Sequence, residues 1–222
     1  MNGYLILKKM KTINFYDIGS FDGMESEYMI TLFKSLNIDN YHIYLFEPCL
    51  SSFEKINKKF LDNKKVSSFN LAISFQDGVG KLFHSPNNEP GNSIFDTKNN
   101  ISKSDFEEIK TIKFSRWLKE NNLNDKTKNF NIIKFNIEGA EWYLIKDLIE
   151  NELINSVDMF CGDIEDIYKI GELKDNINEF KKMILDNDIH VYPFSAQGYE
   201  QEQSRVEKEI KTIKEKIIKD YD

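Results

Sequence analysis

Four short stretches carry side chains fit for chemistry, each where an apolar run gives way to a turn. The first is Phe15-Tyr16-Asp17-Ile18-Gly19-Ser20-Phe21-Asp22-Gly23. Its glycines permit a tight turn and close approach of the backbone to a ligand. The N–H groups of a helix starting just beyond it favour a negative group. The spacing is Asp-x-Gly-x-x-x-Gly, not the Gly-x-Gly-x-x-Gly of dinucleotide sites. The second stretch, Tyr44-Leu45-Phe46-Glu47-Pro48, places an acid 28 residues past Gly19. A carboxylate has two acceptor oxygens, which suits a vicinal diol. The third, Asn70-Leu71-Ala72-Ile73-Ser74, ends on small residues that leave room for a flat ring. The fourth is Lys134-Phe135-Asn136-Ile137-Glu138-Gly139-Ala140-Glu141. Carboxylates three apart at a helix start can face one way, although acids are favoured there by the helix dipole alone.

Two further side chains are candidates for proton transfer. Asp163 stands in Gly162-Asp163-Ile164-Glu165-Asp166, directly after an apolar run. His84 borders a turn-rich region, and histidine is the residue type suited to proton transfer near neutral pH; the plain alternative is a surface hairpin histidine. His42 and His190 read as structural. Cys49 and Cys161 are far apart and form no metal-binding spacing, so they read as buried thiols of a reducing compartment.

The elements that must position these residues alternate in type. Apolar runs at 12–17, 41–46, 66–74, 109–114, 132–137, 157–161 and 189–194 read as strands. Helical spacing fills 25–37, a segment opened at Ser51 with a capping-box pattern, 115–122, 142–154 and 173–185. In the helix opened at Ser51, Phe53, Ile56, Phe60 and Leu61 fall on one face. Residues 75–104 break the rhythm with Gly, Pro and Asn, which predicts a hairpin near 81–84 and then a long loop. Strands alternating with helices imply an α/β protein: a mostly parallel central sheet with helices on both faces. Ligands of such sheets bind at the carboxyl ends of the strands, where every stretch named above falls. The expected division is one domain over 1–198 and a charged amphipathic helix over 199–222. In that helix Val206, Ile210, Ile213, Ile217 and Tyr221 form a stripe. It would pack on its own domain or pair subunits in a homo-oligomer.

A net charge of −7 over 222 residues argues against a nucleic-acid partner. No apolar stretch approaches the ~18 residues of a membrane span. The apolar patch Tyr4-Leu5-Ile6-Leu7 precedes Lys8, Lys9 and Lys11, the reverse of an export signal, so a cytoplasmic location is expected.

Taken together, the four stretches resemble the FkbM family of S-adenosyl-L-methionine (SAM)-dependent methyltransferases. The family pattern runs Asp-x-Gly-Ala-Asn-x-Gly, Phe-Glu-Pro, Asn-x-Ala and Lys-x-Asp-x-Glu-Gly-x-Glu, in the order and spacing found over about residues 12 to 165. The resemblance implies a Rossmann-like methyltransferase fold. It implies SAM held by Asp17, Gly19, Ser20, Phe21, Asp22, Gly23, Glu47, Pro48, Ala72 and Asn136. It also implies O-methylation of a sugar, glycan or related small-molecule hydroxyl. A base beside the donor is then expected from Glu138 first, then Asp163 and His84. This chain departs from the pattern in the turn, where Ser20-Phe21 stand at the positions of Ala-Asn, and carries Asn136 where the family has Asp. The family's Thr-Leu-Asp segment reads Ile112-Lys113-Phe114-Ser115 here. Transfer to nitrogen or another acceptor, and a SAM-binding domain without turnover, remain the alternatives.

Overall fold

The computed structural model describes residues 11–86, 91–195 and 199–221; the side chains of 199–202 are outside this description. The apolar patch at 4–7 with its following lysines 8 and 9, and Pro90 of the turn-rich region, lie outside the described residues.

Six strands form the main sheet: β1 (Thr12–Ile18), β2 (Tyr41–Phe46), β3 (Val66–Phe69), β7 (Asn129–Phe135), β8 (Met159–Gly162) and β9 (Val191–Tyr192). Their spatial order is β3-β2-β1-β7-β8-β9, and every pairing is parallel. This is the doubly wound arrangement, with the strand order reversing between β1 and β7. Helices α1 (Met24–Ser35), α2 (Leu50–Phe60) and α6 (Tyr199–Tyr221) share a core with one face, through Ile13, Phe15, Phe33, Ile56 and Ile213. Helices α3 (Phe114–Glu120), α4 (Glu141–Glu150) and α5 (Ile177–Asp186) cover the other, through Tyr16, Ile18, Trp117, Leu144 and Phe180. Covered on both sides, β7 is buried at every residue. Residues Ile13 and Phe15 of β1 point one way, Tyr16 and Ile18 mostly the other, as a strand's two-residue period requires.

A second, three-stranded sheet orders β4 (Ala72–Ile73), β6 (Phe106–Ile112) and β5 (Gly78–Phe83) side by side. Two expectations change here. The apolar run 66–74 is not one strand: β3 stays in the main sheet and β4 leaves it to pair with β6. The cause is Asn70, whose Nδ2 donates to the carbonyls of Glu47 (3.0 Å) and Pro48 (2.8 Å) and turns the chain between them. The expected strand at 109–114 belongs to this second sheet, antiparallel to β5. The hairpin expected near 81–84 is thus an excursion, with the long loop between its two strands.

The capping box at Ser51 does not form. Helix α2 is preceded by Cys49, without a side-chain cap, and Ser51 lies inside the helix. The orphan N–H of Cys49 is satisfied by the Glu47 carboxylate instead (2.9 Å). Ile56 and Phe60 turn to the core, but Leu61 is 73% exposed. The helix expected over 173–185 opens as a 3₁₀ turn, Gly171–Asn176, before α5. Helix α6 buries Val206, Ile213 and Ile217, and Tyr221 donates to the Lys11 carbonyl (2.7 Å). Among the described residues no helix is long and apolar enough to cross a membrane.

Candidate functional site

The β1–α1 turn is set by a contact, not only by a glycine preference. Gly19 has φ of +78°, and a Cβ there would lie 2.1 Å from the Asn136 carbonyl of the turn after β7. The two strand ends therefore meet directly at the switch point. Beneath the turn lies Asp17, fully buried. Its Oδ2 accepts from Ser26 Oγ (2.7 Å), and its Oδ1 faces Lys134 Nζ at 3.0 Å. Lys134, on the buried strand β7, also donates to the Gly19 carbonyl (3.0 Å). Burial pulls the Lys134 ammonium down, but Asp17 and Glu25 outweigh it and leave it raised and charged. This ion pair fastens β7 to the glycine turn.

Glu47, at the end of β2, crosses to the same turn. Its Oε2 accepts from the Phe21 N–H (2.8 Å) and its Oε1 from the Cys49 N–H. The first contact holds Phe21 at φ of +44°, in the left-handed region. Only 6% exposed, the carboxyl is pushed by burial up to about 7, against the pull of its two backbone donors and of Lys134. Two of its roughly four acceptor positions are used, leaving others for a ligand.

After β7 comes Glu138, itself left-handed with φ of +56°. Its Oε2 is paired with Lys98 of the loop between β5 and β6, while its Oε1 makes no hydrogen bond among the described residues. Burial and the Asp166 carboxylate push Glu138 above the usual range; Lys98 opposes them. Glu141 does not face the same way. It is buried, and its oxygens accept from the N–H groups of Ile137 (2.8 Å) and Gly139 (2.7 Å), capping the turn. Burial, then Asp166, pushes it up to about 8.

These pieces surround a cavity of about 460 Å³ at the carboxyl ends of β1, β2 and β7, within the usual range for small-molecule sites. Eight of the residues singled out in the sequence line it: Gly19, Phe21, Glu47, Pro48, Ala72, Asn136, Glu138 and His84. Leu82 and Ile94 add apolar wall, and Asn92 and Lys55 add polar groups. The other five do not line it. Asp17 is beneath the floor. Ser20 is buried and bonds the Phe46 carbonyl (3.3 Å). The Asp22 carboxylate accepts from the Met24 N–H at the start of α1 (3.0 Å). Gly23 lies against Phe60, which a Cβ would meet at 2.7 Å. Exposed Asp163 accepts from the Glu165 N–H (2.7 Å) and caps a 3₁₀ turn. His84, also in the lining, has its Nε2 3.8 Å from Glu107 Oε1.

Lys134 and Asn70 stand in the quoted motifs without an assigned role, and Lys98 and Ser93 were not among the sequence candidates. Lys134 had a signal: a lone cation within the apolar run Ile132-Ile133-Lys134-Phe135 implies a buried counter-ion. Lys98 and Ser93 lie in a turn-rich region with no periodicity to place them.

Fold and cavity together define a doubly wound α/β protein with a cavity at its strand-end switch point. Among solved structures the chain is similar to the methyltransferase FkbM from Methylobacillus flagellatus KT, at 11% identity and a TM-score of 0.36. The match covers 67% of this chain and 32% of that one, so this chain spans about a third of its length. No protein-family model matches, and neither does any curated protein.

Proposed function

We propose that this chain is a SAM-dependent methyltransferase that transfers a methyl group to a hydroxyl of a sugar, glycan or related small molecule. The observation that carries the reading is the convergence of the Gly19–Phe21 turn and the Glu47 carboxylate on one strand-end cavity. The donor set fits the cofactor. Glu47 is held by two backbone N–H groups with acceptor positions to spare, as a ribose diol requires. Ala72, Leu82 and Ile94 supply small and apolar wall for an adenine. Asn136 and the backbone of the glycine turn suit the amino-acid end.

When bound, SAM supplies a methyl group already activated by a sulfonium. Alignment of the acceptor can then provide much of the acceleration. A sugar hydroxyl is a poor nucleophile, so a base beside it helps. Glu138 is the best placed: it lines the cavity, its Oε1 makes no hydrogen bond among the described residues, and burial favours its taking a proton. His84, which also lines the cavity, is the second candidate. In this reading Asp17, Ser20, Asp22 and Gly23 shape the turn without touching the ligand.

Calorimetric titration with SAM, and with NAD⁺ as control, tests the proposal. Saturable SAM binding in the micromolar range with no NAD⁺ binding is expected. No SAM binding at high micromolar concentration would refute it. Release of S-adenosylhomocysteine against a panel of glycosides then identifies the acceptor.

A further inference from the structure

Lys98 is the most deeply buried cation of the loop between β5 and β6, with a side chain 1% exposed. Its ammonium pairs with Glu138 Oε2 and donates to the Gly91 carbonyl (2.6 Å). The same stretch of loop is tied down at three more places. Ser93 Oγ donates to the Glu138 carbonyl (2.8 Å). Phe95 is buried against Tyr143 and lies over Gly139, where a Cβ would meet its ring at 3.3 Å. Lys98 bridges to Ile170 in β fashion, and the Gly171 N–H donates to the Thr97 carbonyl (3.3 Å). Gly91, Asn92 and Ile94 of this loop form one wall of the cavity that Glu138 also lines.

A buried cation whose partner is a carboxylate at the cavity is costly to leave unpaired. We propose that Lys98 is a positioning residue: through its ion pair with Glu138 it fixes the carboxylate at the cavity and, through Gly91, holds the loop that walls the cavity. Both functions come from one ammonium group. Oε2 is committed to Lys98, which leaves Oε1 as the atom that would receive the hydroxyl proton. This inference rests on the reading of Glu138 as the base of the proposed transfer.

The charged groups facing Glu138 are Lys98 from the loop, Asp166 and Lys169 from the 3₁₀ turn Glu165–Lys169, and Glu141 from α4. Lys169 is itself paired with Asp166. Lys98 is therefore the cation that opposes protonation of Glu138 most directly. Removing it leaves burial and Asp166 acting with little opposition.

The test is carbon-13 NMR of protein labelled at the glutamate carboxyl carbons, with Glu138→Gln to assign the Glu138 signal. In Lys98→Met the Glu138 titration should move up by about 1 to 3 pH units, the usual effect of losing an adjacent opposite charge. Lys98→Arg should largely restore the wild-type midpoint. An unmoved Glu138 midpoint in folded Lys98→Met would overturn the proposal. If Lys98→Met does not fold, the wild type decides it through nitrogen-15 spectra of the lysine ammonium groups, assigned with Lys98→Arg. The Lys98 Nζ signal should follow the Glu138 titration, and one that ignores it overturns the pairing. Failure of the wild type to bind SAM would instead defeat the proposed function while leaving the titration result standing.

Discussion

The buried carboxyl of Glu47 should make both stability and ligand affinity depend on pH, and Glu47→Gln isolates the effect. The folded carboxyl ionises at about 7 against its ordinary 4.5. A raised value means that the folded state binds the proton more tightly than the unfolded state. Stability from this group is thus full below about 4.5 and is lost as pH rises through about 7. With the group 6% exposed, the loss is roughly 3 kcal/mol. The Gln variant cannot ionise, but its amide group faces one of the two donors, the N–H of Phe21 or of Cys49, at a cost of about 1–3 kcal/mol. The wild-type advantage over Glu47→Gln should therefore shrink by roughly 3 kcal/mol between about pH 5 and pH 8. Other groups, including Glu141, titrate in both proteins and cancel in the difference. Urea denaturation at several pH values measures it. If ribose hydroxyls donate to the ionised carboxylate, wild-type SAM affinity should also fall roughly tenfold for each pH unit below about 7, and that slope should vanish in the variant. A stability difference that stays flat across the range would show that Glu47 does not ionise there and would refute the reasoning.

Two other substitutions probe the frame. Lys134→Met leaves Asp17 buried without its cation and should cost about 3–5 kcal/mol in urea denaturation. Adding Asp17→Asn should recover much of that loss; no recovery would mean that the two side chains are not coupled. Ile213→Ala truncates a fully buried contact of α6 and should cost about 2–5 kcal/mol. A loss well under that range would mean that α6 does not depend on this docking.

Much of the architecture was legible because hydrophobic period reports burial. The apolar residues of β1, β2 and β7 and of the helices between them follow the pattern, since a strand covered on both faces is mostly apolar; its polar members in β7, Asn129, Asn131 and Lys134, are buried with partners. Legibility failed where a side chain reached across the chain. Nothing local to 66–74 shows that Asn70 bonds the Glu47–Pro48 carbonyls and splits the run between two sheets. At Ser51 the miss is local: Glu47 accepts from the N–H of Cys49, two residues on, and the helix starts at Leu50. At the site, residue type at a strand end located Gly19, Glu47, Ala72, Asn136 and Glu138 at the cavity. The same rule also selected Asp17 and Asp163, because position along the chain does not say which way an acid points.

By itself, the sequence determined the alternation of strand and helix, and with it a parallel sheet whose strand ends gather the motifs. That follows from chain-local quantities: apolar period, turn residues and spacing. Only the tertiary structure decided how the acids divide their roles. Asp17 is neutralised under the turn by Lys134, Glu141 is spent on backbone N–H groups, and Asp163 faces outward. Glu47 and Glu138 keep oxygen positions toward the cavity. The physical reason is that a carboxylate's chemistry is set by its burial and by the charges and donors around it. For Asp17 and Glu138 those partners, Lys134 and Lys98, come from 117 and 40 residues away.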